Sequence, residues 1–275
     1  MTNNSPLLIC TVYNRGEELL TPMVKSLMRQ TNKNFRILFV DDGSTDGALE
    51  SVLKETCAEN VLRITTIRVD TQKDRPHCMV SPRGDNNPAY AFNRGIAWAL
   101  ENNYEHIGFF SSDVVFNSTV MRDMEQYLPR LEDLCVHGRA YEQGNHGYSK
   151  DGSFCSSSLI RPLGWLFMTH STVLERAKLQ TMNDQWFDES YLGGFAYEDG
   201  DFTGRVAIAA GKMVSDDMLL VRHQHHTTDQ PGEGHRNNAR YARNVWGHPE
   251  PWDAGKIRRK DLVVNGHRRE FLVLE

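Results

Sequence analysis

The chain has 275 residues, 39% of them hydrophobic and 24% charged, with a formal net charge of −5. This is the composition of a globular protein with enough apolar side chains for a sizeable core, and it excludes disorder, collagen-like repeats and a coiled coil. No apolar run approaches the ~18 residues of a membrane span, and Met1 to Pro6 carry no basic segment ahead of a signal core, so a cytoplasmic protein without a transmembrane segment is expected.

Pro6 to Val12 is a short apolar run that ends at Tyr13-Asn14-Arg15-Gly16, which predicts a buried strand and a turn. Leu19, Leu20, Met23, Val24, Leu27 and Met28 recur at helical spacing and predict an amphipathic helix over 16–30. Phe35 to Val40 reads as a second buried strand. It runs into the loop Asp41-Asp42-Gly43-Ser44-Thr45-Asp46-Gly47 and a helix with Leu49, Val52 and Leu53 on one face. Ile64 to Val69 is a third strand, 70–88 a polar loop with three prolines, and Ala89 to Glu101 a helix with Phe92, Ile96 and Leu100 inward. His106 to Phe110 is a fourth strand, ending at Ser111-Ser112-Asp113. Asn117 or Ser118 then caps a helix through Met121, Met124 and Leu128.

Strand and helix alternate four times, so the fold class is α/β, with a mostly parallel sheet and helices on both faces. Ligands of such sheets bind at the carboxyl ends of strands, where the polar clusters 13–15, 41–46 and 111–113 all fall. The second half is less regular. Residues 141–158 read as a loop, 159–170 as strand-like, 202–211 as a helix, 218–222 as a short strand and 223–256 as a polar stretch.

From Arg222 onward there are ten Lys and Arg against seven Asp and Glu, and six of the eleven histidines. A mildly basic, His-rich tail on an acidic body suits an anionic ligand such as a phosphate-bearing small molecule; a nucleic-acid binder would be more basic overall. The cysteines, Cys10, Cys57, Cys78, Cys135 and Cys155, are odd in number and lack a C-x-x-C pair. That argues against a disulfide framework or a zinc ribbon and for reduced, mostly buried thiols.

Four constellations carry chemistry. Asp41 and Asp42 end a buried strand, where a carboxylate can accept hydrogen bonds from a base or ribose, or cap a turn. Asp113 ends another; it can bind a divalent cation whose shell diphosphate oxygens complete, or cap a helix. Glu198-Asp199-Gly200-Asp201 precedes a helix, so its acids either favour the helix dipole or supply a general base. His223-Gln224-His225-His226 follows a short strand, with His223 and His225 on one face as candidate metal ligands.

These segments resemble the GT-A fold, family-2-type glycosyltransferases. Leu7-Leu8-Ile9-Cys10-Thr11-Val12-Tyr13-Asn14-Arg15 resembles their first strand and nucleotide-binding turn, and Phe39-Val40-Asp41-Asp42-Gly43-Ser44-Thr45-Asp46 their most recognisable signature. Ala91-Phe92-Asn93-Arg94-Gly95-Ile96 is similar to the A-R-N-x-G-I helix, with Phe92 in the place of arginine. Phe109-Phe110-Ser111-Ser112-Asp113 is similar to D-x-D, with Ser111 in the place of the first aspartate. Gly193-Gly194-Phe195-Ala196-Tyr197-Glu198-Asp199-Gly200-Asp201-Phe202 resembles the G-G-E-D-x-D-L acceptor motif of β-1,4-galactosyltransferases, with three residues inserted, and Val221-Arg222-His223 their V/I-R-H segment.

The resemblance spans roughly 7–226. It implies a GT-A domain over 1–226, with a nucleotide-sugar-binding half (1–116) and an acceptor and catalytic half (117–226), and a C-terminal loop and tail over 227–275 that completes or covers the site. It further implies metal-dependent, inverting transfer from a nucleotide-sugar, by family weight a UDP-sugar, to an acceptor hydroxyl on a glycan, a small molecule or modified DNA. Thr11, Tyr13, Asn14, Arg15, Asp41, Asp42, Asn93, Arg94, Ser111 and Ser112 would bind the donor, and Asp113 and His223 would hold Mn²⁺ or Mg²⁺. Asp199 would be the general base. Glu198, Trp186, Gly194, Tyr197 and His225 would contact sugars, with Trp165 a further stacking candidate. The alternatives are a nucleotide-sugar-binding module without chemistry and a transferase acting on a hydroxylated DNA base, reached through Arg236, Arg240, Arg243, Lys256, Arg258, Arg259 and Lys260. A nucleotidyltransferase would present a Gly-rich, cation-bearing first loop, which Tyr13-Asn14-Arg15-Gly16 is not.

Overall fold

The computed structural model describes residues 4–56, 63–74, 88–142, 166–178, 185–191, 198–224, 233–246, 257–264 and 267–274. In chain order the elements are β1 (Leu7–Val12), α1 (Gly16–Met28), β2 (Arg36–Asp42), α2 (Ala48–Thr56), β3 (Arg63–Val69), a one-turn α3 (Thr71–Asp74), α4 (Pro88–Glu101) and β4 (His106–Phe110). There follow β5 (Val114–Phe116), α5 (Val120–Glu125), a 3₁₀ turn (Leu128–Arg130), β6 (Cys135–Glu142), β7 (Leu166–His170) and α6 (Ser171–Lys178). The last are α7 (Glu198–Ala210), β8 (Lys212–His223), α8 (Glu233–Trp246), β9 (Ile257–Val264) and β10 (His267–Leu274).

The strands form one sheet in the order β3-β2-β1-β4-β7-β6-β8-β10-β9, with β5 paired to the end of β8. β3, β2, β1 and β4 run parallel, as the βα alternation requires, and β6 is parallel to β8. β7 runs antiparallel to both of its neighbours, β4 and β6.

Two cores lie on opposite faces of this sheet. The period of two along each strand splits the side chains between them. Leu8, Cys10, Val12, Ile37, Phe39 and Phe110 pack with α1, α2 and α5. Leu7, Ile9, Leu38, Val40, Ile107 and Phe109 pack with α4, α6 and α7. Strands covered on both faces read as nearly unbroken apolar runs, which is why β1, β2 and β4 were legible in sequence. Helix α4 lies close on β1 and β2 at Gly95, where a Cβ would sit 2.7 Å from Ile9 Cγ2 and 3.1 Å from Val40 Cγ2. Of the cysteines, Cys10 and Cys135 are buried free thiols; Cys57, Cys78 and Cys155 lie outside the described residues.

The second half departs from the sequence reading in several places. β8 runs over twelve residues, not five, because Ser215 and Asp216 interrupt its apolar pattern. Asp216 is fully buried there, taking a hydrogen bond from Tyr127 Oη and one from Met218 N at 2.9 Å. β6 escaped notice for the same reason, since His137, Gly138 and Arg139 break its run. The polar stretch 223–256 contains the fourteen-residue α8, and the last residues form a β9–β10 hairpin that extends the sheet through β8. α7 starts at Glu198, ahead of the helix expected from Phe202, so its first turn carries Glu198, Asp199 and Asp201.

Candidate functional site

Two loops at the carboxyl ends of β1 and β2 are stitched together. Asn14, in the left-handed region at φ 44°, donates its backbone N–H to Ser44 Oγ at 3.1 Å and accepts from Thr45 N at 2.8 Å through its side chain. Gly16 N donates to Asp46 Oδ2 at 3.2 Å. The turn 13–16 and the loop 43–46 therefore form one surface, as neighbouring parallel strands dictate. Thr11, Tyr13 and Arg15 are half-buried on it.

Asp41 and Asp42 are each 2% exposed and are held by different partners. Asp41 accepts from Ser44 N at 2.9 Å and from Arg68 Nη1 at 2.7 Å, while Arg68 Nη2 reaches Ser44 O at 2.7 Å. Asp42 Oδ1 accepts from Thr71 N and Thr71 Oγ1, both at 2.8 Å. The β2–β3 register sets Arg68 opposite Asp41. Arg68 and Thr71 thus shape this corner, and the sequence carried no signal for either, because a cross-strand partner follows from register alone.

Asp113 follows β4 and precedes β5. It is 4% exposed, accepts from Ser111 Oγ, and its Oδ2 lies 3.4 Å from His223 Nε2. Several elements fix this pair. β5 pairs antiparallel with β8, with Val114 opposite His223. Gln224 N donates to Asp113 O at 2.7 Å and Gln224 Nε2 to Leu19 O of α1 at 2.9 Å. Ser26 of α1 accepts from Phe116 N at 3.0 Å. Burial and the Asp113 carboxylate push the Cys10 thiol up while Arg15 pulls it down, so all three groups share one electrostatic neighbourhood at the end of β1. Ser112 is buried beside them at 2% exposure.

The donor set at this point is a carboxylate, an imidazole and a hydroxyl. Hard oxygen and borderline nitrogen suit Mn²⁺, and Mg²⁺ less well. No group of three His, Cys, Asp or Glu side chains able to hold a metal exists among the described residues. The residues fit a cation that the protein grips with two side chains and that a diphosphate completes.

The segment 185–191 joins three helices. From α4, Asn93 uses its whole amide on it: Phe187 N donates to Oδ1 at 2.8 Å, and Nδ2 donates to Phe187 O and to Glu189 Oε1, both at 2.9 Å. From α7, Arg205 donates to Trp186 O and forms a buried ion pair with Asp201 at 2.7 Å. From α8, Tyr241 Oη donates to Asp188 Oδ2 at 2.6 Å, and its ring meets Tyr191 edge-on at 4.9 Å between centroids. Phe92 explains itself here: it stacks on Phe187 at 4.8 Å, and Phe187 stacks on Phe202 at 3.9 Å. Arg94, by contrast, is exposed on α4. Trp186, read in sequence as a sugar-stacking ring, is 9% exposed and belongs to the apolar core on the α4–α7 face, with Lys178 Nζ over its ring at 4.8 Å.

Glu198 and Asp199 stand half-buried at the start of α7. Asp199 Oδ1 accepts from Gly200 N at 2.8 Å, and Thr203 Oγ1 donates to Asp199 O at 2.7 Å, so the acid is fixed to its own helix turn. Burial, helped by the neighbouring Asp199, raises the Glu198 carboxyl to about 8. Gly194, Tyr197, His225 and Trp165 lie outside the described residues. Among the described residues no helix is long and apolar enough to cross a membrane.

A model of the family described as glycosyl transferase family 2 matches residues 8–190. The glycosyltransferase GlyG of Streptococcus pneumoniae is 26% identical over 229 residues, covering 78% of this chain and 69% of its own. Among solved structures, S. aureus TarS 1-349 in complex with UDP-GlcNAc superposes with a TM-score of 0.61 at 17% identity, over 90% of this chain and 67% of that one. The mannosyltransferase PcManGT from Pyrobaculum calidifontis, in complex with GDP-Man and Mn²⁺, gives 0.56 at 15%, over 88% and 61%. GalNAc-T7 with UDP, GalNAc and Mn²⁺ gives 0.60 at 13%, over 88% and 48%. The chain spans 40% of the longer TarS structure. These likenesses show the α/β fold of GT-A glycosyltransferases. With two thirds of its length matched by the family model, the chain belongs to glycosyl transferase family 2.

Proposed function

We propose that this glycosyltransferase moves a sugar from a UDP-sugar to an acceptor hydroxyl with inversion at the anomeric carbon. The observation that carries the reading is the Asp113–His223 pair, 3.4 Å apart beside the joined donor-side loops of β1 and β2. The UDP, GDP and Mn²⁺ named with the structural neighbours support it.

In this reading Thr11, Tyr13, Asn14 and Arg15 bind the nucleotide on one side, with Asp41 and Asp42 behind the adjoining loop. Ser111 and Ser112 lead the chain to Asp113, and Asn93 fixes segment 187–189. Asp113 and His223 would hold Mn²⁺ or Mg²⁺, which when bound stabilises the negative charge on the leaving diphosphate. Asp199 takes the proton from the acceptor hydroxyl, whose oxygen attacks the anomeric carbon from the face opposite the diphosphate. The bond from that carbon to the phosphate oxygen breaks, and the diphosphate leaves with its electron pair. Glu198, protonated, donates a hydrogen bond to a sugar oxygen and adds no second negative charge beside the base.

The test is a thermal-shift screen of UDP-glucose, UDP-galactose and UDP-GlcNAc, with and without Mn²⁺. A donor at ~100 times its dissociation constant adds ~2.7 kcal/mol of stability. A Mn²⁺-dependent rise in melting temperature with one donor is expected; no rise with any nucleotide-sugar would overturn the reading.

A further inference from the structure

The outward face of α8 carries Arg236, Arg240 and Arg243, all exposed, at the i, i+4, i+7 spacing that aligns side chains on one face. Among the described residues none of the three makes an ion pair or a hydrogen bond. With a rise of 1.5 Å per residue the guanidiniums follow one another at about 6 Å and about 4.5 Å along the axis. Three like charges in one line repel one another.

The opposite face of the same helix is committed to the protein. Asn238 and Ala242 are buried at 1% exposure, and Tyr241 binds Asp188 and packs on Tyr191. Tyr191 stands seven residues before Glu198, so α8 is tied to the segment that leads into the proposed base.

We propose that the arginine face of α8 is a docking surface for a phosphate-bearing acceptor chain, which it holds while a hydroxyl of that chain is presented to Asp199. The acceptor role rests on the transferase reading; the docking surface does not. All three cations are arginines, whose planar forks pair bidentately with phosphate oxygens and lose less freedom doing so than lysine ammoniums. A lipid surface fits poorly, because a membrane-binding helix turns its apolar side to the lipid, and here Tyr241 and Ala242, opposite the arginines, are packed on the protein. Duplex DNA fits poorly as well. Its backbone offers no free hydroxyl to accept a sugar, so a duplex could serve only through a hydroxylated base.

The experiment measures binding of fluorescein-labelled inorganic polyphosphate by fluorescence anisotropy at low salt, with the full chain and its R236Q/R240Q/R243Q variant. The expected result is at least about tenfold weaker binding by the variant and a salt slope reduced by up to about three, because each lost phosphate contact releases fewer counterions. R236K/R240K/R243K keeps the charge and should bind between the two. The melting temperature and its rise with UDP-sugar and Mn²⁺ should be the same in all three proteins, which separates lost docking from lost folding. Equal binding by the glutamine variant would overturn the proposal. So would tighter binding of duplex DNA or of phosphatidylserine vesicles, or equal binding of polyglutamate. Arginine-dependent polyphosphate binding in a protein that no nucleotide-sugar stabilises would overturn the acceptor role and the transferase reading, and uphold the docking surface.

Discussion

Asp113 and His223 are 110 positions apart in the chain, yet Asp113 Oδ2 and His223 Nε2 stand 3.4 Å apart, because β5 and β8 pair with Val114 opposite His223. Ser111, in the place of an acid of the D-x-D pattern, hydrogen-bonds the Asp113 carboxylate and so orients it.

If this pair holds the cation, as proposed, a metal preference follows. One carboxylate and one imidazole favour Mn²⁺ over Mg²⁺, which prefers oxygen ligands and sheds its water reluctantly. Mn²⁺ should support donor binding at a lower concentration than Mg²⁺. Asp113→Ala should lose the metal-dependent part of the ~2.7 kcal/mol of donor stabilisation. Calorimetric titration of donor with each cation checks both statements, and an unchanged metal requirement in Asp113→Ala would sink the assignment.

Asp199→Asn keeps the shape of the side chain and removes its basicity. A positioned base contributes ~10²–10⁴-fold to turnover. Transfer should fall by that factor, while the donor-induced rise in melting temperature stays within error. Turnover at the wild-type rate would exclude Asp199 as the base.

Glu198 gives the fold a pH dependence of definite sign. Its carboxyl sits near 8 in the folded protein against an ordinary 4.5, raised by burial and then by Asp199. A raised carboxyl contributes its full stability below about 4.5 and loses it as pH climbs through about 8. The melting temperature of the wild type should therefore fall from pH 5 to pH 8 relative to Glu198→Gln, which has no proton to lose. Parallel curves for the two proteins would contradict this.

The Asp201–Arg205 pair is buried on both sides, with side chains 3% and 6% exposed. Asp201→Ala strands a buried guanidinium, and such losses cost about 3–5 kcal/mol. Chemical denaturation should show a drop of that order. A drop below about 1 kcal/mol would mean that Trp186 O and water compensate Arg205.

Tyr241→Phe removes the hydroxyl that donates to Asp188 at 2.6 Å and leaves the ring packed on Tyr191. A hydrogen bond to a carboxylate is worth about 1.5–3 kcal/mol, and its half-exposed position argues for the lower end. If α8 positions segment 185–191 for the acceptor, KM for the acceptor should rise while donor binding is unchanged. Equal effects on donor and acceptor would point to a general loss of packing.

The sequence by itself determined the parallel half of the sheet and put its candidate site residues at strand ends. β1, β2 and β4 are apolar runs buried on two faces, α1, α2 and α4 carry a 3.6-residue stripe, and the polar clusters follow the strands. Those are local patterns, and local patterns survive in one dimension. Its motifs also marked Asp113, His223 and Glu198-Asp199, because residue type and order are written in the chain.

Only the tertiary structure decided which of these residues meet. The pairing of Asp41 with Arg68 is a matter of strand register, and that of Asp113 with His223 of a crossover ending beside β5. Asn93 is spent on Phe187 and Glu189, nearly a hundred residues away in sequence. Trp186 is packed in the core because Phe187, Phe202 and Arg205 close around its segment. β6, the long β8 and α8 were hidden because polar residues broke their local periodicity: Asp216 is tolerated in β8 once Tyr127 supplies its partner, and the apolar face of α8 has meaning only against segment 185–191. Contacts between distant residues depend on register and packing, and neither is encoded in the spacing of neighbours.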